Sequence, residues 1–262
     1  AETHTDVPAA VALVKRTTNA AVSGVDGRVI FAVAEGAAYG LEAASGKVLW
    51  RRYVGFASDG RGVSFPSTAV PKSGGNHCVL VDWEDNQVLQ LEAATGKTIW
   101  RFPVGERFDA HPVAVDERLL VATRSGRLLT IDTGSGTASR YVQLSQELRV
   151  APVIQTNSDR IYQIGEHSSL FVISMESGEA KQVVYLGHEP GSVVCRPVLV
   201  SGYLVVAEND GVESSTLNVL ALVAEDDKPP VRLIQRISVR GHVSTSPSVW
   251  GPRMMVVSDQ GD

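Results

Sequence analysis

Leu41-Glu42-Ala43-Ala44-Ser45-Gly46-Lys47-Val48-Leu49-Trp50 returns 50 residues later as Leu91-Glu92-Ala93-Ala94-Thr95-Gly96-Lys97-Thr98-Ile99-Trp100. Weaker copies continue down the chain, and two anchors track them. A turn glycine recurs at Gly46, Gly96, Gly136 and Gly178, at intervals of 50, 40 and 42 residues. A proline opening a short apolar run recurs at Pro66, Pro112, Pro152, Pro197 and Pro247, at intervals of 46, 40, 45 and 50. Both anchors slip together, so the variation in length falls in connecting loops rather than in strands. A period of this size marks an array of one supersecondary unit.

The unit from Pro112 to Leu144 shows what that element is. Pro112–Val115 is a short run closed by the turn Asp116-Glu117, and Arg118–Thr123 is a second run rich in β-formers. Arg124-Ser125-Gly126 turns the chain into Leu128–Asp132, and Gly134-Ser135-Gly136 turns it again into Ala138–Leu144. Four short strands joined by hairpin-length turns pair antiparallel. Proline is tolerated at the first position of a strand because it need not donate to the ladder. The same four runs occur over blades at about 66–105, 152–187 and 197–240, and a partial copy occupies 247–262. The first blade, about 20–55, lacks the proline and is expected to begin near Ala20–Val25.

A four-stranded sheet of this size cannot bury two faces alone, and four-stranded units of about 40–50 residues are the signature of a β-propeller. A parallel β-helix has shorter repeats without tight antiparallel turns. The expected fold is therefore all-β: a propeller over 20–262, with five complete units and the start of a sixth. Residues 1–19 form an N-terminal extension. Two accounts of the incomplete last unit stand side by side. Further copies follow Asp262, which the partial unit favours, or Val11-Ala12-Leu13-Val14-Lys15 supplies a closing strand to the last blade.

Composition narrows the function classes. The net charge of −5 is spread over many blades, and no basic face interleaved with aromatics appears, so no nucleic-acid partner is expected. The longest apolar run, Val198–Ala207, is broken by Ser201-Gly202 and is too short to span a bilayer. Cys78 and Cys195 fall in different units, and two buried free thiols are expected. The opening Ala1-Glu2-Thr3-His4-Thr5-Asp6 resembles a mature end left by signal cleavage.

The pattern of Leu-Glu/Asp-Ala, Thr-Gly-Lys and Trp resembles the quinoprotein-like repeat. That repeat occurs in pyrroloquinoline-quinone-dependent alcohol dehydrogenases and in the outer-membrane assembly lipoprotein of Gram-negative bacteria. The resemblance covers Arg28 to Asp262 and is strongest at Leu41–Trp50 and Leu91–Trp100. It implies a propeller in which Trp50 and Trp100 dock on the peptide of the adjacent blade, with Gly46 and Gly96 in the docking turns. In later units Arg140 and Val183 or Val184 take roughly the Trp place. Glu42 and Glu92 stand where the family has Asp, which loosens the docking hydrogen bonds, whereas Asp132 keeps it. The dehydrogenases of the family need eight blades, a calcium cage, a catalytic Asp and a pair of adjacent cysteines. No adjacent cysteines occur here, so neither redox catalysis nor a cofactor is expected.

In a propeller of this topology the turns between second and third strands and the connections between blades emerge on one rim. Asp109, His111, Arg149 and Arg196 sit just before strand-opening prolines and are the candidate channel-mouth binding residues. Asp109-x-His111 and Glu166-His167 lack the paired spacing of a structural zinc site, so no metal is expected. No Gly-x-Ser-x-Gly elbow marks a nucleophile. A non-catalytic scaffold follows, binding another protein through the loop rim or a blade edge, in a bacterial periplasmic or otherwise extracytoplasmic setting. The competing expectation is a degenerate quinoprotein or small-ligand enzyme that uses the central channel.

Overall fold

The computed structural model describes residues 10–15, 28–34, 36–55, 68–69, 77–155, 158–187, 189–224 and 228–261. Every element among them is a strand. The first sheet holds β1 Ala10–Lys15, β2 Arg28–Ala34, β3 Ala37–Glu42 and β4 Val48–Tyr53. The second holds β5 Thr68–Ala69, β6 His77–Asp82, β7 Gln87–Glu92 and β8 Thr98–Pro103. The third holds β9 Val113–Val115, β10 Arg118–Ala122, β11 Arg127–Asp132 and β12 Ala138–Gln143. The fourth holds β13 Val153–Ile154, β14 Arg160–Ile164, β15 Ser169–Ser174 and β16 Ala180–Tyr185. The fifth holds β17 Val198–Val200, β18 Tyr203–Asp210, β19 Ser214–Leu222 and β20 Val231–Arg240, and a two-stranded sheet holds β21 Ser248–Trp250 and β22 Arg253–Met255. Each four-stranded sheet runs in simple chain order, as a propeller blade does.

The strand sequences follow from their place in the sheet. Central strands bury both faces and read as continuous apolar runs: Leu119–Ala122 of β10 and all six residues of β15 are buried. Outer strands bury one face, so β4, β8 and β16 alternate. Pro112, Pro152, Pro197 and Pro247 each stand immediately before a first strand. Pro66 lies outside the described residues.

The first blade opens differently from the sequence expectation. Its first strand is β1, paired antiparallel with β2 from Ala10↔Val33 to Lys15↔Arg28. The Val11–Lys15 run is thus an edge of the first sheet rather than a closing strand for the last, and Ala20–Val25 lies outside the described residues. The reason is local. Val11–Val14 is an unbroken apolar run of β-forming residues that pairs along β2.

The chain forms two compact units, one comprising 1–107, 111–120 and 130–140, the other 108–110, 121–129 and 141–262. In the first, Val29, Phe31, Trp50, Leu80, Leu89 and Leu91 form a core from the first two sheets. In the second, Tyr162, Leu170, Val172, Leu204, Val206 and Leu220 form a core from the fourth and fifth. Each fully buried aliphatic side chain contributes about 1.5–3 kcal/mol.

Indole docking ties sheet to sheet within the first unit. Trp50 Nε1 donates to the Ala93 carbonyl at 2.8 Å, and Trp100 Nε1 donates to the Thr133 carbonyl at 2.8 Å. Each acceptor lies three residues before a turn glycine, and the ring lies on that glycine. A Cβ on Gly96 would fall 2.7 Å from Trp50 Cγ, and one on Gly136 would fall 2.5 Å from Trp100 Cγ. Only glycine leaves this room, and the positive φ of 68° and 69° demands it independently. The turn is closed by backbone bonds, such as Gly96 N–H to Glu92 O at 2.9 Å and Glu92 N–H to Lys97 O at 2.8 Å. Glu42 and Glu92 accept from the Ser45 and Thr95 hydroxyls, while Asp132 accepts from both the backbone N–H and the hydroxyl of Ser135. The shorter Asp side chain therefore makes the extra backbone bond. Those Ser135 donors also hold the exposed Asp132 carboxyl below its ordinary pKa.

Register corrects the expected Trp place in the fourth blade. Trp50 and Trp100 stand opposite Gly40 and Gln90, the residues just before a bulge in β3 and β7. The matching residue of β15 is Val172, and it pairs with Gln182, not with Val183 or Val184. Gln182 docks by other means. Its Nε2 donates to the Val231 carbonyl at 3.0 Å, and the Val231 N–H donates to its Oε1 at 2.9 Å.

The indole seat yields a paired test. Gly46 has the same positive φ, 71°, but among the described residues nothing lies within 4 Å of a Cβ built there. Gly46→Ala is expected to cost only the left-handed strain of about 1–2 kcal/mol. Gly136→Ala should cost at least about 1 kcal/mol more, because it also unseats Trp100. Urea denaturation of both variants measures the difference, and equal losses would show that the seat contributes nothing.

Candidate functional site

The loops that join blades gather against the turns between second and third strands. Trp83 N–H donates to the Val54 carbonyl at 2.8 Å in the first unit. In the second, Glu166 donates to Glu147 O at 2.9 Å, Asn209 to Ser192 O at 2.9 Å and Asp259 to His242 O at 3.0 Å. Each bond runs from the end of a second strand, or the turn after it, back to the preceding connection, so turns and connections share one end of the strands. Side chains reinforce the pattern: Gln146 accepts from His167 N–H at 3.0 Å and donates to Ser169 Oγ at 2.9 Å. Asn209 Oδ1 accepts from Val243 N–H at 2.9 Å and from Ser215 Oγ at 2.8 Å.

A charged cluster forms on this end of the second unit. Arg124, in the turn after β10, reaches Asp109 Oδ2 with Nε at 2.6 Å and a terminal nitrogen at 2.5 Å. Arg149 holds Glu147 Oε2 at 2.9 Å and Glu166 Oε1 at 2.9 Å. Partial burial alone would lower the Arg149 pKa, but hydrogen bonding to Glu147 and the charges of Glu166, Glu147 and Asp109 outweigh it and hold it above the ordinary value. Asp109 thus links the two pairs electrostatically. The Arg149 side chain remains 41% exposed and the Glu166 side chain 21%. Such a cluster offers a partner carboxylates and guanidinium groups already held in place, which lowers the ordering cost of a polar contact.

Of the four candidate channel-mouth residues, Asp109 and Arg149 belong to this cluster. Arg196 is half-buried and donates from Nε to the Pro152 carbonyl at 2.9 Å, a contact that fixes the start of β13. Burial lowers its pKa from the ordinary value. His111 belongs to the first unit and is half-buried. Sequence reasoning missed Glu147, although Glu147-x-Arg149 places both side chains on one stretch of loop. It also missed Gln182, which counting four residues on from Gly178 would have found.

The described residues contain no group of three or more His, Cys, Asp or Glu side chains placed to hold a metal ion. No helix among them is long and apolar enough to cross a membrane. Cys78 and Cys195 are buried free thiols. Burial pushes Cys78 up to about 12 despite the opposing charge of Arg52, and pushes Cys195 up to about 11.

The family model for the outer membrane protein assembly factor BamB matches residues 7–213. No curated protein matches the chain by sequence. Among solved structures, BamB from Moraxella catarrhalis is similar at 18% identity and a TM-score of 0.68, over 89% of this chain and 65% of that one. The chain therefore spans less than two thirds of that BamB. BBS1N in complex with ARL6DN matches at 16% identity and a TM-score of 0.63, over 89% of this chain and 72% of that one. The computationally designed Ika8 protein matches at 15% identity and a TM-score of 0.64, over 89% and 66%. At these identities the structures share the fold alone.

Thiolate chemistry supplies a check on the cores. Neither cysteine should react with an aromatic disulfide reagent in the native protein at about pH 8, because both thiols stay protonated and covered. Both should titrate fully in concentrated guanidinium. Rapid labelling of the folded chain would place a thiol at the surface.

Proposed function

Because the chain belongs to the family of the outer membrane protein assembly factor BamB, we propose that it is a non-catalytic propeller module that binds another protein in the bacterial cell envelope. The observation that carries this reading is the prearranged cluster of Asp109, Arg124, Glu147, Arg149 and Glu166 on the loop end of the second unit. Mixed charges of this kind set partner choice and docking rate more than bulk affinity. The match over residues 7–213 supports an extracytoplasmic role, since the family is named for outer-membrane assembly. A similar structure, BBS1N, holds a protein partner, ARL6DN, and supports the use of this fold for protein binding. On this reading, Asp109 and Arg149 contact the partner, while Arg196 keeps the scaffold in shape.

The test is capture by the immobilised chain from solubilised cell envelopes and from cytosol, with and without Arg124→Glu and Arg149→Glu. A specific envelope protein should be retained by the wild type and lost in both variants. The more exposed Arg149 pairs contribute less than about 1 kcal/mol to stability, so Arg149→Glu should unfold at nearly the wild-type urea concentration. Arg124→Glu faces the more deeply buried Asp109 and should unfold earlier. Capture that ignores both charge reversals would refute the assigned surface. A bound chromophore after addition of pyrroloquinoline quinone and calcium would refute the non-catalytic reading.

A further inference from the structure

The fifth blade departs from the fourth at the loop end of the second unit. In the fourth, Glu166 N–H bonds back to Glu147 O, and Gly165 N–H closes on Ser169 O at 2.9 Å, so three residues, 166–168, make the turn. In the fifth, Asn209 N–H makes the equivalent bond to Ser192 O, which sets Glu208 where Gly165 stands. Glu208 pairs with Thr216, and seven residues, 209–215, lie between them. The extra residues add two further pairs, Asn209↔Ser215 and Asp210↔Ser214. β20 follows them with Val239 and Arg240. Three strands thus rise about 7 Å past the level of the neighbouring turn. Insertions in a repeat array fall on loops, often those of the binding face.

The added hairpin is braced along its length. Ser214 Oγ donates to the Asp210 carbonyl at 2.8 Å, and Thr216 Oγ1 donates to the Asp210 carboxylate. Gly241 N–H donates to the Glu213 carbonyl at 2.7 Å. His242 Nε2 donates to the Gly211 carbonyl at 3.1 Å, since a carbonyl can only accept. Between these tied residues Val212 is 88% exposed. A lone exposed valine is ordinary on a protein surface. One at the tip of an inserted, braced hairpin is held out in a fixed position, which lowers the ordering cost of docking. Exposed carboxylates flank it on Asp210 and Glu213, and the Glu213 carboxylate takes no part in the bracing, which uses its carbonyl. Asp259 adds a third, accepting from His242 N–H at 2.8 Å. Arg240, opposite Ser214, is the cation beside the hairpin. The three carboxylates outnumber it and His242 together.

We propose that this hairpin is a docking element: Val212 enters an apolar pocket on a partner protein, and the Asp210 and Glu213 carboxylates meet lysine or arginine side chains that border the pocket. The apolar requirement follows from the exposed tip, and the cationic requirement follows from the carboxylates around it. The inference rests on the reading that the chain binds another protein, but not on the Arg149 cluster. That cluster stands around the turns of the third and fourth blades and the hairpin on the fifth, so mutation separates the two contacts.

The test places the photo-crosslinker benzoylphenylalanine at position 212, or at 167 in the exposed turn beside Glu166, in the full chain within the cells that make it. Position 212 should give a discrete adduct to another protein, mapped to a segment with apolar residues and at least two lysines or arginines. With that partner purified, Val212→Asp and Glu213→Lys should each weaken binding at least about tenfold, and Val212→Ile should retain it. Both altered side chains are exposed, so the variants should keep the wild-type urea midpoint, which separates lost contact from lost fold. An adduct from 167 with none from 212 would overturn the hairpin and leave the cluster reading standing. An adduct from 212 that survives Arg149→Glu, with none from 167, would support the hairpin and refute the cluster. No adduct from either position would refute both. An adduct solely to the chain itself or to a second copy, a mapped segment without cations, or equal binding by Val212→Asp would each overturn the proposal.

Discussion

A blade of four short strands cannot bury both its faces, so everything depends on how one blade is fastened to the next. In the first unit the fastener is a single side chain that satisfies two demands together. The indole ring covers apolar area, and its N–H, which would be costly to bury unpaired, finds a carbonyl three residues before a glycine. The glycine must be there twice over, once for the left-handed turn and once because the ring occupies the space of a Cβ. Each decapeptide therefore carries both halves of the joint. The second decapeptide shows both: its Gly96 turn receives Trp50 and its Trp100 goes to the next blade, whereas Gly46 of the first, expected in a docking turn, receives no ring among the described residues. Tandem repetition is then a mechanical requirement, since a lone copy has neither donor nor receiver.

The same logic explains why the fourth and fifth blades look different. Gln182 exchanges an apolar seal for two hydrogen bonds to one residue, Val231. An amide can satisfy the backbone of an irregular connection, which an indole with one donor cannot. It covers less surface, however, and Arg160 must reach across to hold the Val223 and Pro230 carbonyls. Exchanging packing for polar bracing keeps the join but leaves a groove. Ser192, Glu208 and Asn218 continue the polar bracing deeper between the same sheets, with Glu208 only 5% exposed and bonded by both neighbours at 3.2 Å.

Sequence alone carried the parts of this fold that depend on local chemistry. Turn glycines, strand-opening prolines and apolar runs each have a short-range cause, and they locate the sheets well. The indole docking was legible through resemblance because both partners lie in one repeated segment. What was not legible depends on an unexpected residue type or on distance along the chain. The Trp place in the fourth blade keeps the bulge register of the first two and the same distance from the turn glycine, and it was missed only because Gln182 is polar where an apolar residue was sought. The first strand hides because residues 16–27 separate β1 from β2, a longer connection than that between the first two strands of any other blade. The contact of Arg196 with the Pro152 carbonyl spans 44 residues, and an arginine beside a proline has the same sequence signature whether it binds a partner or braces a strand. Asp109 and Arg149 instead join a charged cluster, which only the positions of Glu147, Glu166 and Arg124 reveal.

The two ends of the strands have separated roles, and the separation has a physical basis. At the docking end, side-chain identity is dictated by packing: a glycine, an indole and a hydroxyl-bearing turn each have one place. At the loop end, the recurring contacts are between backbone groups, from Glu166 to Glu147, Asn209 to Ser192 and Asp259 to His242. These loops are held by their main chain together with a few amide and carboxylate side chains, Gln146, Asn209 and Asp259. Partly exposed charges can occupy this end beside that bracing, as the arginine–carboxylate cluster does. Variation in the exposed charges of the loop end leaves the joint between blades alone, whereas variation at the docking end changes the joint itself, as Gln182 has done.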